Sequence, residues 1–263
     1  MEKQNKKRYM KITFATYNIL HGYHFKEVLE NIKNLFGRGC DIVCVQEAEI
    51  DFEEILPPNF KVEYFHHTSA CNLAIIYNSS KFVLKDIQRI LLPRLSKVYW
   101  TQYFTKYRQI SERGIMIVDF LFENKLLRVT NAHLAWEGGT KHRLHQLEYL
   151  LQNSKRDASA LEIISGDFNT LAPSLLRRFQ EKKVERILKD YMNVFPGLEW
   201  SCDGSNDAPQ DGLYKMMKIL HFFGINLYSR LDYIFSKNLK KISSEMLDLK
   251  GSDHRPLIVT FEI

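Results

Sequence analysis

The chain closes on Gly251-Ser252-Asp253-His254-Arg255-Pro256, which leads into a final apolar run. An acid and a histidine stand side by side there, at the mouth of a strand-like segment. A carboxylate so placed can hold a cation while the adjacent imidazole serves as a base. Four further acid-and-amide clusters precede it, each attached to a similar apolar run: Tyr17-Asn18, Gln46-Glu47, Gly166-Asp167-Phe168-Asn169 and Leu231-Asp232-Tyr233. Taken singly, each has an ordinary explanation: Gln46-Glu47 can start a helix, Asp167 and Asn169 can cap one, and the Asp253-His254 pair can be a charged turn. In series, they describe an active site assembled from loops on a two-sheet core.

Each cluster offers a distinct chemistry. Glu47 at a strand's C-terminal end, with the Asn18 amide nearby, could serve a hard cation such as Mg²⁺, which needs only one or two carboxylates besides water and substrate phosphate. Gly166 lets the backbone turn sharply, so Asp167 and Asn169, two apart, point the same way. Such a pair could hold a nucleophilic water and donate to a phosphoryl oxygen. Asp232 and His254 form a dyad in which the carboxylate fixes the imidazole tautomer and stabilises its charged form. Asp253 stays free to meet the metal. His133, in Thr130-Asn131-Ala132-His133-Leu134, reads alone as a hydrogen-bonded, half-buried residue and gains weight only from its company.

Strands must carry these clusters. Lys11–Tyr17 alternates and leads into Asn18, and Asp41–Gln46 is a short run suited to burial on both faces. Between them Phe25, Val28, Leu29, Ile32 and Leu35 fall at helical spacing. Leu73–Tyr77 and Phe82–Leu92 read as a strand pair turning at Asn78-Ser79-Ser80. Gly114–Phe122 and Lys125–His133 read as a hairpin through Glu123-Asn124. Gly138–Gln152 is helical, Leu161–Ser165 a strand feeding Gly166-Asp167, and Leu171–Tyr191 a strongly charged helix. Tyr228–Ser236 and Pro256–Ile263 close the chain as strands. The pattern fits two packed sheets flanked by helices. Arg94–Gln109, which interleaves aromatic and basic residues, and Ser201–Gly224, which ends in the apolar Leu213–Phe223, resist assignment.

Composition narrows the classes. At 263 residues, 45% hydrophobic and 13% aromatic, the chain can bury a full core. No run approaches the roughly 18 apolar residues of a membrane span, and no secretory signal is evident. Of the net charge of +6, residues 1–11 carry +4 and leave about +2 on the body, so global charge says little about a polyanionic partner. Residues 1–10 are expected to be a basic flexible tail and 11–263 a single domain. Cys40, Cys44, Cys71 and Cys202 lack metal-finger spacing and read as buried thiols of a reducing compartment, hence a cytoplasmic, monomeric protein.

Together the segments Thr16-Tyr17-Asn18-Ile19-Leu20, Val45-Gln46-Glu47, Asn131-Ala132-His133-Leu134, Gly166-Asp167-Phe168-Asn169, Arg230-Leu231-Asp232-Tyr233-Ile234 and Ser252-Asp253-His254-Arg255-Pro256 resemble the endonuclease/exonuclease/phosphatase superfamily of metal-dependent phosphoesterases. They occur in the family's order and span residues 16–256. The resemblance implies a four-layer αββα sandwich. It implies Glu47 as principal Mg²⁺ ligand (Mn²⁺ a possible substitute), assisted by Asn18 and Asp253, and His254 as base, or in rival schemes as the phosphate-stabilising histidine, oriented by Asp232. Asp167 would position or deprotonate the attacking water, Asn169 would bind the phosphoryl group and His133 would stabilise its charge.

Substrate contacts are also implied at Arg113, His21 and Arg143. Arg113 follows an Arg-Gly pattern of phosphodiesterase branches, and Arg143 with Gln146 an Arg-x-x-Gln pattern of bacterial members. An ordinary solvated helix face explains Arg143 equally well. Leu20 stands where abasic endonucleases carry Asp, and the segment around Asp232 departs from the inositol phosphatase motif. The expected function is therefore Mg²⁺-dependent phosphodiester hydrolysis by in-line water attack, with nucleic acid the first substrate. A phospholipid or small-molecule phosphoester, reached through membrane-surface contact by Leu213–Phe223 in the lipid case, is the alternative; a non-catalytic binding module comes last.

Overall fold

The computed structural model describes residues 10–67, 71–95, 112–154, 160–170, 174–203 and 228–263. The basic tail up to residue 9, most of Arg94–Gln109 and the Leu213–Phe223 segment lie outside them. In chain order the elements begin with β1 (Lys11–Asn18), α1 (Phe25–Gly37), β2 (Ile42–Gln46), β3 (Phe60–Phe65), β4 (Leu73–Asn78), β5 (Val83–Leu91), β6 (Gly114–Phe122) and β7 (Lys125–His133). There follow α2 (Gly139–Asn153), β8 (Leu161–Asp167), α3 (Ser174–Ile187), β9 (Met192–Asn193), β10 (Cys202–Asp203), β11 (Tyr228–Ser229), β12 (Asp232–Lys237), β13 (Lys240–Met246) and β14 (Leu257–Glu262).

Two six-stranded mixed sheets form, ordered β13-β14-β1-β2-β4-β3 and β5-β6-β7-β8-β12-β9. Period-two alternation assigns each face. From β1, Ile12 and Phe14 enter the core between the sheets, whereas Ala15 and Tyr17 join the cluster beneath α1. β2 and β4 divide likewise, Cys44 and Ile75 inward, Val45 and Ile76 toward the helix. On the second sheet Met116 and Val118 face inward, and Ile115 and Ile117 face Leu147 and Leu150 of α2 and Val184 of α3. Three apolar interfaces thus separate four layers, the αββα sandwich the resemblance implied. Val28, Ile32 and Leu35 of α1 are fully buried, and each such side chain contributes about 1.5–3 kcal/mol.

Each sheet contains one parallel pair joined by a helix: β1-α1-β2 and β7-α2-β8. Their strands end level, Asn18 opposite Gln46 and His133 opposite Asp167. The four C-terminal ends open at one rim, where open α/β sheets commonly bind ligands. Gly166, at φ +129°, permits the close approach of β7 and β8, since a Cβ there would fall 1.9 Å from the Ala132 carbonyl oxygen.

Most expected elements are present, and the Glu123-Asn124 turn has both residues at positive φ (48° and 63°), the geometry a two-residue hairpin favours. Two expectations are corrected. Leu73–Tyr77 and Phe82–Leu92 do not pair: β4 lies between β2 and β3 in the first sheet, and β5 is the edge of the second. The Asn78-Ser79-Ser80 turn is a crossing between sheets, as both runs are apolar enough to serve either. Tyr228–Ser236 is not one strand but two, β11 pairing β10 and β12 pairing β8 and β9. The edge strands β3 and β13 were not expected, because their side chains are mostly half-buried or exposed and form no apolar run.

Candidate active site

The rim gathers residues from every motif. Asn18 donates from Nδ2 to Glu47 Oε1 (3.2 Å) and to Asp167 Oδ2 (3.1 Å), linking the ends of both parallel pairs. Its Oδ1 accepts the Leu20 backbone N–H at 3.0 Å. Glu47 sits at φ 56°, His21 at 55° and Asn169 at 49°, left-handed conformations that non-glycine residues adopt at a cost and that cluster at functional sites. His21 Nε2 lies 3.0 Å from Glu47 Oε2. Asn169 donates its backbone N–H to Asp167 Oδ1 (2.8 Å) and Nδ2 to the Leu134 carbonyl (2.9 Å), so the turn after β8 aims Asp167 into the cavity.

His254 pairs through Nδ1 with Asp232 Oδ2 at 2.8 Å. That leaves Nε2 facing inward, 3.8 Å from Asp167 Oδ2 and 3.9 Å from Asp253 Oδ1. Across the cavity His133 Nε2 stands 3.6 Å from the same Asp167 oxygen and 3.8 Å from Glu47 Oε1. Arg113 Nη1 donates to His133, 2.7 Å from Nε2.

Electrostatics separate these groups. Burial raises Asp167 to about 7, with Asp232 and Glu47 adding to the rise against the pull of His254. Burial likewise raises Asp253 to about 6. Glu47 goes the other way: burial opposes its charge, but His21 above all, with His254, holds it well below the usual carboxylate range. Burial also works against a charged His254, yet Asp232 above all keeps it well above the ordinary histidine value. His133, buried and beside Arg113, is pushed well below that value and is neutral. Carboxylates pushed apart in this way can divide acid, base and ligand duties.

Of the expected substrate contacts, His21 and Arg113 join the cavity wall. Arg143 lies beneath it rather than on a solvated helix face: buried, it donates to the Trp136 carbonyl at 2.9 Å. Gln146 accepts from Ala135 N–H at 2.8 Å, so the pair secures the segment after β7. Two serines went unforeseen. Ser201 Oγ donates to Asp232 Oδ2 (2.7 Å) while accepting the backbone N–H groups of Leu231 and Asp232. Ser252 Oγ donates to the Asn18 carbonyl at 2.8 Å. Ser201 stands alone in the sequence and gives no signal, and Ser252 belongs to the Asp253-His254 motif without a role of its own there; both are fully buried.

The sequence profile of the Endonuclease/Exonuclease/phosphatase family matches residues 15–254, from β1 to His254. The chain belongs to that family. It is a phosphoric ester hydrolase, as the family's members are, and those enzymes are generally divalent-metal dependent. No curated protein sequence matches significantly. Among solved structures, D. rerio TDP2 complexed with single-strand DNA product superposes with TM-score 0.69 at 15% identity, covering 96% of this chain and 99% of that one. A mannosyl-6-phosphatase of Bacteroides thetaiotaomicron gives 0.67 at 15% identity, covering 94% and 98%. ANGEL2, a 2′,3′-cyclic phosphatase, gives 0.64 at 16% identity, covering 97% and 96%. At such identities the likeness is one of fold.

Proposed function

We propose that this chain hydrolyses phosphodiesters of nucleic acid with the aid of Mg²⁺, Mn²⁺ being able to substitute. The observation that carries the reading is the convergence of Glu47, Asp167, Asp232, Asp253, His133 and His254, from five separate segments, at one rim. The donor set fits a hard cation. Its ready ligands are carboxylate oxygens: those of Glu47, which His21 Nε2 faces at 3.0 Å, and those of buried Asp253. Glu47 and Asp253 would hold the ion, with Asn18 drawing Glu47 and Asp167 together. When bound, the ion supplies Lewis-acid stabilisation of phosphoryl charge.

The chain's own residues supply the rest. His254, oriented by Asp232, accepts the proton of the attacking water at Nε2 in its neutral form, so its raised pKa makes turnover climb as pH rises above the ordinary histidine range. Asp167, next to Nε2, positions that water. Asn169 fixes Asp167 and the turn beside the phosphoryl group. Neutral His133 accepts from Arg113 and so holds that positive charge beside the phosphoryl group. His21 lines the entrance against Glu47, and Arg143 acts through the segment it secures.

Nucleic acid is favoured by two exposed aromatic rings, Tyr23 just after His21 and Phe25 at the start of α1, since exposed rings beside a phosphate site can stack bases. The family's single-strand DNA complex agrees with it. A small-molecule phosphoester is the second reading, favoured by the comparable likeness to the mannosyl-6-phosphatase. A panel of single-stranded and duplex DNA, RNA, abasic DNA, sugar phosphates and phospholipids, run with Mg²⁺, Mn²⁺ and a chelator, decides. Metal-dependent cleavage of a polynucleotide is expected. Turnover of sugar phosphates or lipids with every polynucleotide intact would overturn the nucleic-acid reading.

A further inference from the structure

One group in the cavity has no part in the hydrolysis just described. Cys202, in β10, forms an isolated antiparallel bridge with His254, so their side chains lie on the same side of the backbone. The clamp is reinforced by Asp203 N–H to the Asp253 carbonyl (2.7 Å) and Arg255 N–H to the Ser201 carbonyl (2.8 Å). As a result, one ligating atom each from Cys202, Asp253 and His254 lie within 4.8 Å of one another, all three residues buried. Sulfur, nitrogen and carboxylate oxygen are the donor types of zinc sites.

The histidine is prepared as a ligand. Nδ1 is engaged by Asp232, leaving Nε2 to face Asp253 at 3.9 Å and Asp167 at 3.8 Å. A carboxylate on the far nitrogen of a histidine is the usual support of a zinc ligand. Bonds of about 2.0–2.3 Å set tetrahedral edges of roughly 3.5 Å, a contraction of a few tenths of an ångström from the separations at Nε2. Mg²⁺ would take the oxygens and ignore the thiol, whereas a softer cation takes all three donors.

We propose that Cys202, Asp253 and His254 form a second, inhibitory site for a thiophilic divalent cation such as Zn²⁺ or Cd²⁺, with Asp167 within reach as fourth ligand. As the sulfur–metal bond forms, the thiol proton leaves to solvent; nothing is oxidised or reduced. Occupancy takes the inward-facing nitrogen of His254 and diverts Asp253 from the Mg²⁺ site. Binding does not depend on the proposed reaction, but its inhibitory effect rests on that reading.

The test titrates Cd²⁺ into the reduced, full-length protein and follows the ultraviolet thiolate-to-cadmium charge-transfer band. Zn²⁺ inhibition of Mg²⁺-supported turnover is measured alongside. Wild type and Cys71→Ala should show the band; Cys202→Ala should lose it, keep Mg²⁺-supported turnover near wild type, and need at least about 10-fold more Zn²⁺ for inhibition. A band that persists in Cys202→Ala, no band in wild type, or Zn²⁺ inhibition unchanged by the substitution would overturn the proposal. If Cys202→Ala does not fold, the Co²⁺ spectrum of wild type decides: one sulfur-to-cobalt band with intense tetrahedral d–d absorption is expected, and weak octahedral absorption overturns it. A protein that gives the cadmium band but hydrolyses no phosphoester would retain this site and refute the hydrolytic reading instead.

Discussion

His254 can serve as a base only while Asp232 holds Nδ1, and Asp232 is itself held by Ser201. The Ser201 hydroxyl donates to the same carboxylate oxygen that takes the imidazole, and two backbone N–H groups fix the hydroxyl. Removal at successive removes from the reaction should therefore give a graded loss. His254→Ala should lower kcat by at least about 10²-fold, the contribution of a general base. Ser201→Ala should lower kcat by roughly 10-fold, as supporting groups do, with KM little changed and Ser201→Thr restoring the rate. Steady-state kinetics on folded variants checks the order. A Ser201→Ala enzyme that loses substrate affinity instead of turnover would show that the serine shapes the pocket rather than the dyad.

Behind the rim, the strands are registered by a polar clasp between the sheets. Asn131, on β7, donates from Nδ2 to the Val45 and Ala74 carbonyls and accepts Gln46 Nε2 at 2.6 Å. It lies two residues before His133, and Gln46 immediately precedes Glu47. Asn131→Ala strands a buried amide donor, so the urea midpoint should fall by the equivalent of about 1–3 kcal/mol. Turnover should fall as well, because Glu47 and His133 lose their common brace; a variant destabilised to that extent with unchanged kcat would separate the clasp from catalysis. The strands that end at the rim were legible in the sequence: β2 and β8 as short apolar runs ending in polar residues, β1 by its alternation and β7 as half of a hairpin. It did not announce which sheet a run joins. β5 has the same alternation whether it pairs with β4 or β6, and partner choice is settled by the packing of Phe82 against Phe120 and Phe122. The site shows the same division. Carboxylates and histidines at strand ends stand out by type, whereas Ser201 and Cys202 reach the site only because β10 is laid against the loop bearing His254. Arg143 is buried rather than solvated for a related reason: helical spacing gives the face it occupies but not the carbonyl it finds.

At the scale of the whole molecule, four thiols report on how completely the layers close. Burial raises Cys40, Cys44, Cys71 and Cys202 from the ordinary 9.0 to about 12. The folded state thus keeps these protons to higher pH than the unfolded chain does. Their stabilising contribution is complete below about pH 9 and is lost as pH rises toward 12. Stability should decline over that window by up to about 1.4 kcal/mol per pH unit for each thiol. Cys44→Ala, deep between the sheets, should lower stability at pH 7 yet flatten the alkaline slope by one thiol's share; an unchanged slope would mean that Cys44 is not shielded as the core requires. The proposed cation site joins this closure: Glu47 and Asp253 come from the first sheet, after β2 and ahead of β14, and Asn18 ties Glu47 to Asp167 at the end of β8 in the second. Metal that binds only when the sheets are together must stabilise them together. At free Mg²⁺ 100-fold above its dissociation constant, the native state gains about 2.7 kcal/mol. In a chain of this size that raises Tm by roughly 5–10 °C. Calorimetry of chelated and Mg²⁺-loaded protein should show the rise as one cooperative transition, and Glu47→Gln should abolish most of it. The same rise in Glu47→Gln would place the ion elsewhere and leave Glu47 as no more than the ion-pair partner of His21.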